Sequence, residues 1–190
     1  MGLRQPSMGY EFLTGTIMKA KLKKAHMLAA YAYASCSTAT RRKVGCLIVK
    51  NDNPIAEGYN GMPPSDTNKC ETREYNYSQA VNSTEYPFYC VEENAFYKTV
   101  TKPDVIHAED NALLKLSGCH ESARGSSVFV TTAPCRRCAA RLLRAGVAEV
   151  YYDDIYSCTS GIELLAANGV HVEQVQIDKF LVETINRLEY

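Results

Sequence analysis

Two short segments carry side chains that have to meet in space, and they restrict the fold of this chain more than any other feature. The first is His107-Ala108-Glu109, and the second runs from Pro134 to Cys138 with cysteines at positions 135 and 138. Each segment opens a stretch with helical periodicity. Two thiolates and one imidazole are a suitable ligand set for Zn²⁺ and leave its fourth position to water, as catalytic sites require. The fold must therefore bring two helix starts together.

Taken singly, neither segment is specific for catalysis. A Cys-x-x-Cys pair is also typical of a structural zinc half-site or a redox pair, and His-x-Glu alone indicates little. Together they predict a catalytic zinc site with His107, Cys135 and Cys138 as ligands. The unpaired N–H groups of a helix start favour the thiolate form of the cysteines. Glu109 is not needed as a ligand and is predicted to face the zinc-bound water as the catalytic acid and base.

The rest of the pattern predicts an α/β fold. Apolar residues recur at helical spacing in 19–35, 107–116, 135–145, 161–167 and 180–188. Strand patterns cover 44–49, 55–59, 127–132, 147–152 and 170–175. The first of these strands is continuously apolar, which predicts burial on both faces. Strands that alternate with helices of about ten residues predict a sheet with helices on its faces.

A chain of 190 residues is long enough for one domain with a sizeable core. We assign residues 19–190 to that domain, and residues 1–18 to a leader or disordered segment. From about 62 to 104 the pattern dissolves into a polar, tyrosine-rich stretch with several prolines. We interpret this stretch as a long insertion, either a functional loop or a set of short helices.

Charge and cysteine content limit the class of protein. The 21 basic and 21 acidic residues cancel, which favours a small ligand over DNA or RNA, because neutralising phosphates drives binding to a polyanion. No stretch reads as a membrane span, and residues 1–18 lack the pattern of a secretory signal. Eight cysteines in such a chain indicate reduced thiols and a cytoplasmic location, in the host cytoplasm if the gene is carried by a phage.

The two metal-site segments match the zinc deaminase pattern His-x-Glu followed by Pro-Cys-x-x-Cys. Further segments resemble the deoxycytidylate (dCMP) deaminases, of phage or bacterial type, over about residues 19–175. These segments are Val44-Gly45, the run from Gly58 to Pro63, and Ala145-Gly146-Val147. The resemblance implies a cytidine-deaminase-like three-layer fold, with a mixed five-stranded sheet flanked by helices. It also implies hydrolysis of dCMP to dUMP and ammonia, which supplies dUMP for thymidylate synthesis.

The resemblance further implies how the reaction would run. Bound Zn²⁺ would make hydroxide available near neutral pH. Glu109 would take the water's proton, deliver it to N3 of the base and later pass a proton to the departing amine, while hydroxide attacks C4. The residues that the resemblance places at the substrate are Asn60, Arg41, Ser37, Ala108 and Tyr156. Among them, Arg41 suits the phosphate, and Tyr156 stacks on the pyrimidine.

Regulation is implied in the same way. Gly58, Tyr59, Asn60 and Gly61 would build a second nucleotide site in a homohexamer, where dCTP activates and dTTP inhibits, with Mg²⁺ on the triphosphate. Two glycines in this segment would let backbone N–H groups approach a nucleotide. Two departures matter. Pro64 follows where relatives often have glycine, and Ala39 stands where some have a cysteine for a second zinc. We therefore expect one zinc ion per chain.

Two alternatives stay open. The chain is a zinc deaminase with another cytosine or adenine substrate, such as a nucleoside, a tRNA or single-stranded DNA. The polymer substrates need a positively charged channel, which a chain of zero formal charge does not favour. In the other alternative the zinc is structural and the protein is a non-catalytic nucleotide sensor. Glu109 argues against this, because a structural site has no use for a carboxylate beside the metal.

Overall fold

A computed structural model of the chain describes residues 18–64, 67–78, 83–155 and 158–187. The helices in these ranges are α1 (Ala20–Ser35), α2 (Ala108–Leu116), α3 (Arg136–Ala145), α4 (Ser160–Ala167) and α5 (Lys179–Asn186). The strands are β1 (Gly45–Lys50), β2 (Asn53–Tyr59), β3 (Glu71–Asn76), β4 (Phe88–Cys90), β5 (Ala95–Thr101), β6 (Ser127–Thr132), β7 (Glu149–Asp154) and β8 (His171–Gln174). The predicted leader lies outside the described residues, apart from residue 18.

The central sheet has five strands in the order β2-β1-β6-β7-β8. β1 runs antiparallel to both β2 and β6, while β6, β7 and β8 are parallel to one another. The prediction of a mixed five-stranded sheet flanked by helices is therefore confirmed. Within the described part of the chain, no helix is both long and apolar enough to cross a membrane.

Helices cover both faces of this sheet, which makes three layers. Successive side chains of a strand point to opposite faces, so Cys46 and Ile48 of β1 join the apolar cluster under α2, α3 and α4. Leu47 and Val49 join the cluster on the other face, where Met27 of α1 packs. β1 is buried on both faces, as its continuous apolar run predicted.

Two glycines let helices approach the sheet more closely than a side chain would allow. A Cβ atom on Gly45 would lie 1.9 Å from the carbonyl oxygen of Ala30 in α1. A Cβ atom on Gly58 of β2 would lie 2.3 Å from the carbonyl oxygen of Ala108. Ala108 begins α2, so the second contact places the start of that helix directly against β2.

The stretch predicted as a loop or short helices instead forms a second sheet. Its three strands are antiparallel in the order β3-β5-β4, and we call it the small sheet. The strands were missed because their aromatic residues pack on one another rather than on the main core. The ring of Tyr97 lies 5.6 Å from that of Tyr75 and 5.3 Å from that of Phe88. Most side chains stay half-buried or exposed, so no apolar alternation marks the strands.

Candidate active site

The structure brings the three predicted zinc ligands together at two helix starts. His107 and Cys135 are the N-cap residues of α2 and α3, and Cys138 lies in the first turn of α3. Nδ1 of His107 is 3.8 Å from Sγ of Cys135 and 3.4 Å from Sγ of Cys138. All three ligand atoms lie within 4.8 Å of one another.

These atoms have the spacing that zinc requires. Tetrahedral Zn²⁺ with bonds of about 2.0 Å to nitrogen and 2.3 Å to sulfur separates the two ligand atoms by about 3.5 Å. The hydrogen bond from Cys138, followed by the contact with His107, lowers the pKa of the Cys135 thiol to about 3. The same bond to Cys135, followed by burial, raises the pKa of Cys138. A thiolate at Cys135 thus disfavours ionisation of Cys138, and a bound divalent cation would stabilise both thiolates.

Contacts between helices hold the ligands in place. Asp110 of α2 forms an ion pair with Arg141 of α3, which ties the two ligand-bearing helices together. Gly161, near the start of α4, lies against the turn before α3. A Cβ atom there would be 1.9 Å from the carbonyl oxygen of Pro134. Sequence reasoning did not identify Gly161, because its function depends on a contact with a distant segment.

Glu109 occupies the first turn of α2, beside the ligand cluster. Only 4% of it is exposed, and burial raises the pKa of its carboxyl group to about 7. It lines the same cleft as His107 and Cys135. A carboxyl group with a pKa near neutrality can both accept and donate a proton at physiological pH. This is the position and the property that acid–base catalysis beside the metal requires.

The cleft has a volume of about 250 Å³. Three of the predicted substrate residues, Arg41, Asn60 and Ala108, line it. Ser37 is buried and does not line it. Tyr156 lies outside the described residues.

Asn60 and Ser37 support the backbone around the cleft. Oδ1 of Asn60 accepts a hydrogen bond from the N–H of Val44 at 2.8 Å, and its Nδ2 donates to the carbonyl oxygen of Arg42 at 2.9 Å. The hydroxyl of Ser37 donates to the carbonyl oxygen of Asn60 at 2.7 Å. A direct substrate contact by Ser37 is therefore not supported by its position. The substrate role of Asn60 stays a prediction.

The segment from Gly58 to Gly61 is joined to the start of α2. The N–H of Gly61 donates to the carbonyl oxygen of Ile106, and the N–H of Asn60 donates to that of Val44. The side chain of Asn111 donates to the carbonyl oxygen of Tyr59. The argument that the N–H groups of this segment approach a nucleotide is therefore not supported at positions 60 and 61. The assignment of a regulatory site here stays a prediction.

Other residues that line the cleft were not predicted from the sequence. They are Arg42, Val44, Glu71, Thr101, Val105, Thr132, Ala133 and Cys158. For Arg42, the one sequence feature that could have indicated a place in the cleft is that it adjoins Arg41. Glu71 and Thr101 belong to the small sheet, and no motif distinguishes them from other polar residues of the insertion.

We expect the purified protein to hold one zinc ion per chain, and Cys135→Ala or Cys138→Ala to lose it, because each removes one of the three clustered ligands. Elemental analysis of the purified variants measures the zinc content. Cys36→Ala and Cys119→Ala change exposed cysteines outside the cluster and serve as controls that keep zinc. Full retention of zinc in both ligand variants would contradict the assignment.

Sequence comparison places this site in a known family. The family model for the cytidine and deoxycytidylate deaminase zinc-binding region matches residues 19–153. ComE operon protein 2 of Bacillus subtilis is 31% identical over 162 residues, which cover 85% of this chain and 75% of that protein. The deoxycytidylate deaminase of Schizosaccharomyces pombe is 31% identical over 142 residues, which cover 74% of this chain but 40% of that enzyme.

Comparison of structures agrees with this result. The dCMP deaminase of the cyanophage S-TIM5, solved in complex with dCMP and dUMP, is 36% identical with a TM-score of 0.66. The match covers 83% of this chain and 98% of the phage chain. The predicted zinc ligands cluster at two helix starts, and the match to the family model includes both segments that carry them. The chain therefore belongs to the family of cytidine and deoxycytidylate deaminases and is a zinc-dependent hydrolytic deaminase.

Proposed function

We propose that the protein hydrolyses the 4-amino group of dCMP and releases ammonia and dUMP, which would supply thymidylate synthesis. The observation that carries the proposal is that one cleft is lined by Glu109, by two of the three zinc ligands (His107 and Cys135) and by two arginines, Arg41 and Arg42. A guanidinium suits bidentate contact with a phosphate, so the cleft combines a deaminase centre with groups for one nucleotide phosphate. The similarity to a phage enzyme solved with dCMP and dUMP supports the same substrate.

His107, Cys135 and Cys138 would hold the zinc ion. When bound, Zn²⁺ lowers the pKa of a coordinated water toward about 7 and so supplies hydroxide near neutral pH. Glu109 would carry the protons. It would take one from the attacking water and deliver it to N3 of the cytosine ring, which makes C4 electrophilic. After the water oxygen has bonded to C4, Glu109 would take the remaining proton of that hydroxyl and pass it to the amino group, which leaves as ammonia. Burial of Glu109 limits its contact with bulk water.

Glu109→Gln should keep zinc and still bind nucleotide but lose turnover by at least about 10²–10⁴-fold, because general acid–base catalysis contributes that much. Zinc analysis, nucleotide binding and the rate of ammonia release measure the three properties. Glu121→Gln, a change at an exposed residue outside the cleft, is the matched control and should keep wild-type activity. A tenth of wild-type turnover in Glu109→Gln would show that another group carries the proton.

The wild-type enzyme should depend on the 5′-phosphate of its substrate for efficient turnover. We expect kcat/KM for dCMP to exceed that for deoxycytidine by about tenfold or more, because hydrogen bonds to a charged group contribute about 1.5–3 kcal/mol. Ammonia release from the two substrates under identical conditions measures the ratio. Equal values would instead indicate a nucleoside deaminase. Tight binding of an oligonucleotide in a gel-shift assay would favour the polymer substrates.

We further propose that dCTP activates the enzyme and dTTP inhibits it, with Mg²⁺ on the triphosphate, in a homohexamer. This part rests on the resemblance of Gly58 to Gly61 to the regulatory segment of dCMP deaminases. One structural feature supports it. Gly58 touches Ala108 at the start of α2, and Gly61 pairs with Ile106. A ligand that displaces this segment would also displace the residues on either side of His107.

Regulation predicts a sigmoidal dependence of rate on dCMP concentration, which dCTP makes hyperbolic and dTTP shifts to higher substrate concentration. The reason is that each triphosphate shifts the equilibrium between two states by its differential affinity for them. Steady-state rates with and without each triphosphate test this, and light scattering should report an assembly larger than a dimer. A hyperbolic curve unaffected by either triphosphate would contradict the regulation while leaving the catalytic assignment intact.

A further inference from the structure

The small sheet contributes two polar residues to the cleft. Glu71 is the first residue of β3 and Thr101 is the last residue of β5. They are paired in register, so they lie side by side at one end of the small sheet. Both line the cleft that contains Glu109. The insertion is therefore part of the wall around the catalytic site.

Both residues hold Arg41, but at different points. Oε1 of Glu71 accepts hydrogen bonds from the backbone N–H groups of Thr40 and Arg41, at 3.0 and 3.2 Å. The hydroxyl oxygen of Thr101 accepts a hydrogen bond from Nη1 of Arg41 at 3.2 Å. One end of the small sheet thus fixes both the backbone and the guanidinium of this arginine.

This arrangement affects how Arg41 would bind an anion. An exposed arginine side chain samples many rotamers, and ordering it on binding reduces the affinity. Contacts that restrict the guanidinium beforehand remove part of that cost, which is the effect of preorganisation. Arg41 lies in an exposed position, and its contacts with Glu71 and Thr101 involve both its backbone and its guanidinium. The contacts with Glu71 and Thr101 are therefore well placed to set its orientation.

We propose that Glu71 and Thr101 are positioning residues that hold Arg41 for the 5′-phosphate of the substrate. The small sheet would then determine the preference for a nucleotide over a nucleoside, while the chemistry at the zinc site stays with α2 and α3. The inference rests on the proposed function, in which Arg41 contacts the phosphate. It goes further by assigning the source of specificity to the insertion.

The same contacts allow an opposite effect. Successive backbone N–H groups form an anion-binding arrangement, and the Glu71 carboxylate already occupies those of Thr40 and Arg41. If this carboxylate competed with the substrate phosphate, its removal would improve dCMP binding. The positioning role predicts that its removal weakens binding. The direction of the change in KM therefore decides between the two effects.

The first experiment compares kcat and KM for dCMP and deoxycytidine in four variants. Thr101→Val and Glu71→Ala remove the acceptor oxygens, and we expect each to raise KM for dCMP about three- to tenfold, the loss typical of one or two hydrogen bonds. The effect on kcat and on deoxycytidine should be much smaller. Thr101→Ser and Glu71→Gln keep an acceptor oxygen and should restore KM for dCMP to near the wild-type value.

Thr72→Val is the matched control, because Thr72 is exposed on the same sheet and does not line the cleft. Thermal unfolding shows that each variant is folded. A lower KM for dCMP in Glu71→Ala would overturn the positioning role. Loss of activity on both substrates alike, with no rescue by the serine or glutamine variants, would also overturn it.

The second experiment is a double-mutant cycle. If Thr101 acts through Arg41, the variant with both Arg41→Ala and Thr101→Val should have the same KM for dCMP as Arg41→Ala alone. Additive effects would overturn the inference and leave the proposed function standing. Equal wild-type efficiency on dCMP and deoxycytidine would overturn the proposed phosphate contact, and this inference with it. Comparing dCMP with deoxycytidine in the wild-type enzyme therefore distinguishes failure of this inference from failure of the proposed phosphate contact.

Discussion

The cluster of His107, Cys135 and Cys138 joins two helices whose ligands lie 28 or more positions apart in the chain. Most of the described fold serves to bring these helix starts together. β6 lies beside β1 in the central sheet and leads directly into α3. Gly58 of β2 allows α2 to lie against the same sheet. The ion pair between Asp110 and Arg141 then links the two helices one turn beyond the ligands.

The site also works against the stability of the fold. Burying the charged form of a carboxyl group or a thiol, as at Glu109 and Cys138, is unfavourable unless its charge is compensated. Burial raises the pKa of Glu109, and the hydrogen bond with Cys135, followed by burial, raises the pKa of Cys138. A bound zinc ion would compensate the charge of the thiolates, and we therefore expect metal binding to stabilise the fold. Glu109 is not one of the clustered ligands, and the raised pKa of its buried carboxyl group suits the proton transfers proposed for it.

The sequence predicts the parts of this protein whose signal is local. The periodicity of 107–116 and 127–132 is set by the core on which these elements pack, and the zinc ligands follow from short motifs. The small sheet was missed because Tyr75, Tyr97 and Phe88 pack on one another. The contacts of Glu71 and Thr101 depend on a register between strands distant in sequence. No local pattern encodes such a pairing, and the same holds for the two amide hydrogen bonds of Asn60.

The groups proposed for catalysis and the group proposed for phosphate binding belong to different parts of the fold. The zinc ligands and Glu109 belong to α2, α3 and the N-caps of these helices, which pack on the central sheet. Arg41 is held by the small sheet. The hydrogen bond from the N–H of Lys102 to the carbonyl oxygen of Cys70 continues the pairing of β3 and β5 by one residue on each strand. Four residues further along the chain, Ile106 pairs with Gly61. Because residue 106 immediately precedes His107, a regulatory nucleotide that moved the Gly58–Gly61 segment, as the proposed regulation requires, would act on the metal site through this bridge.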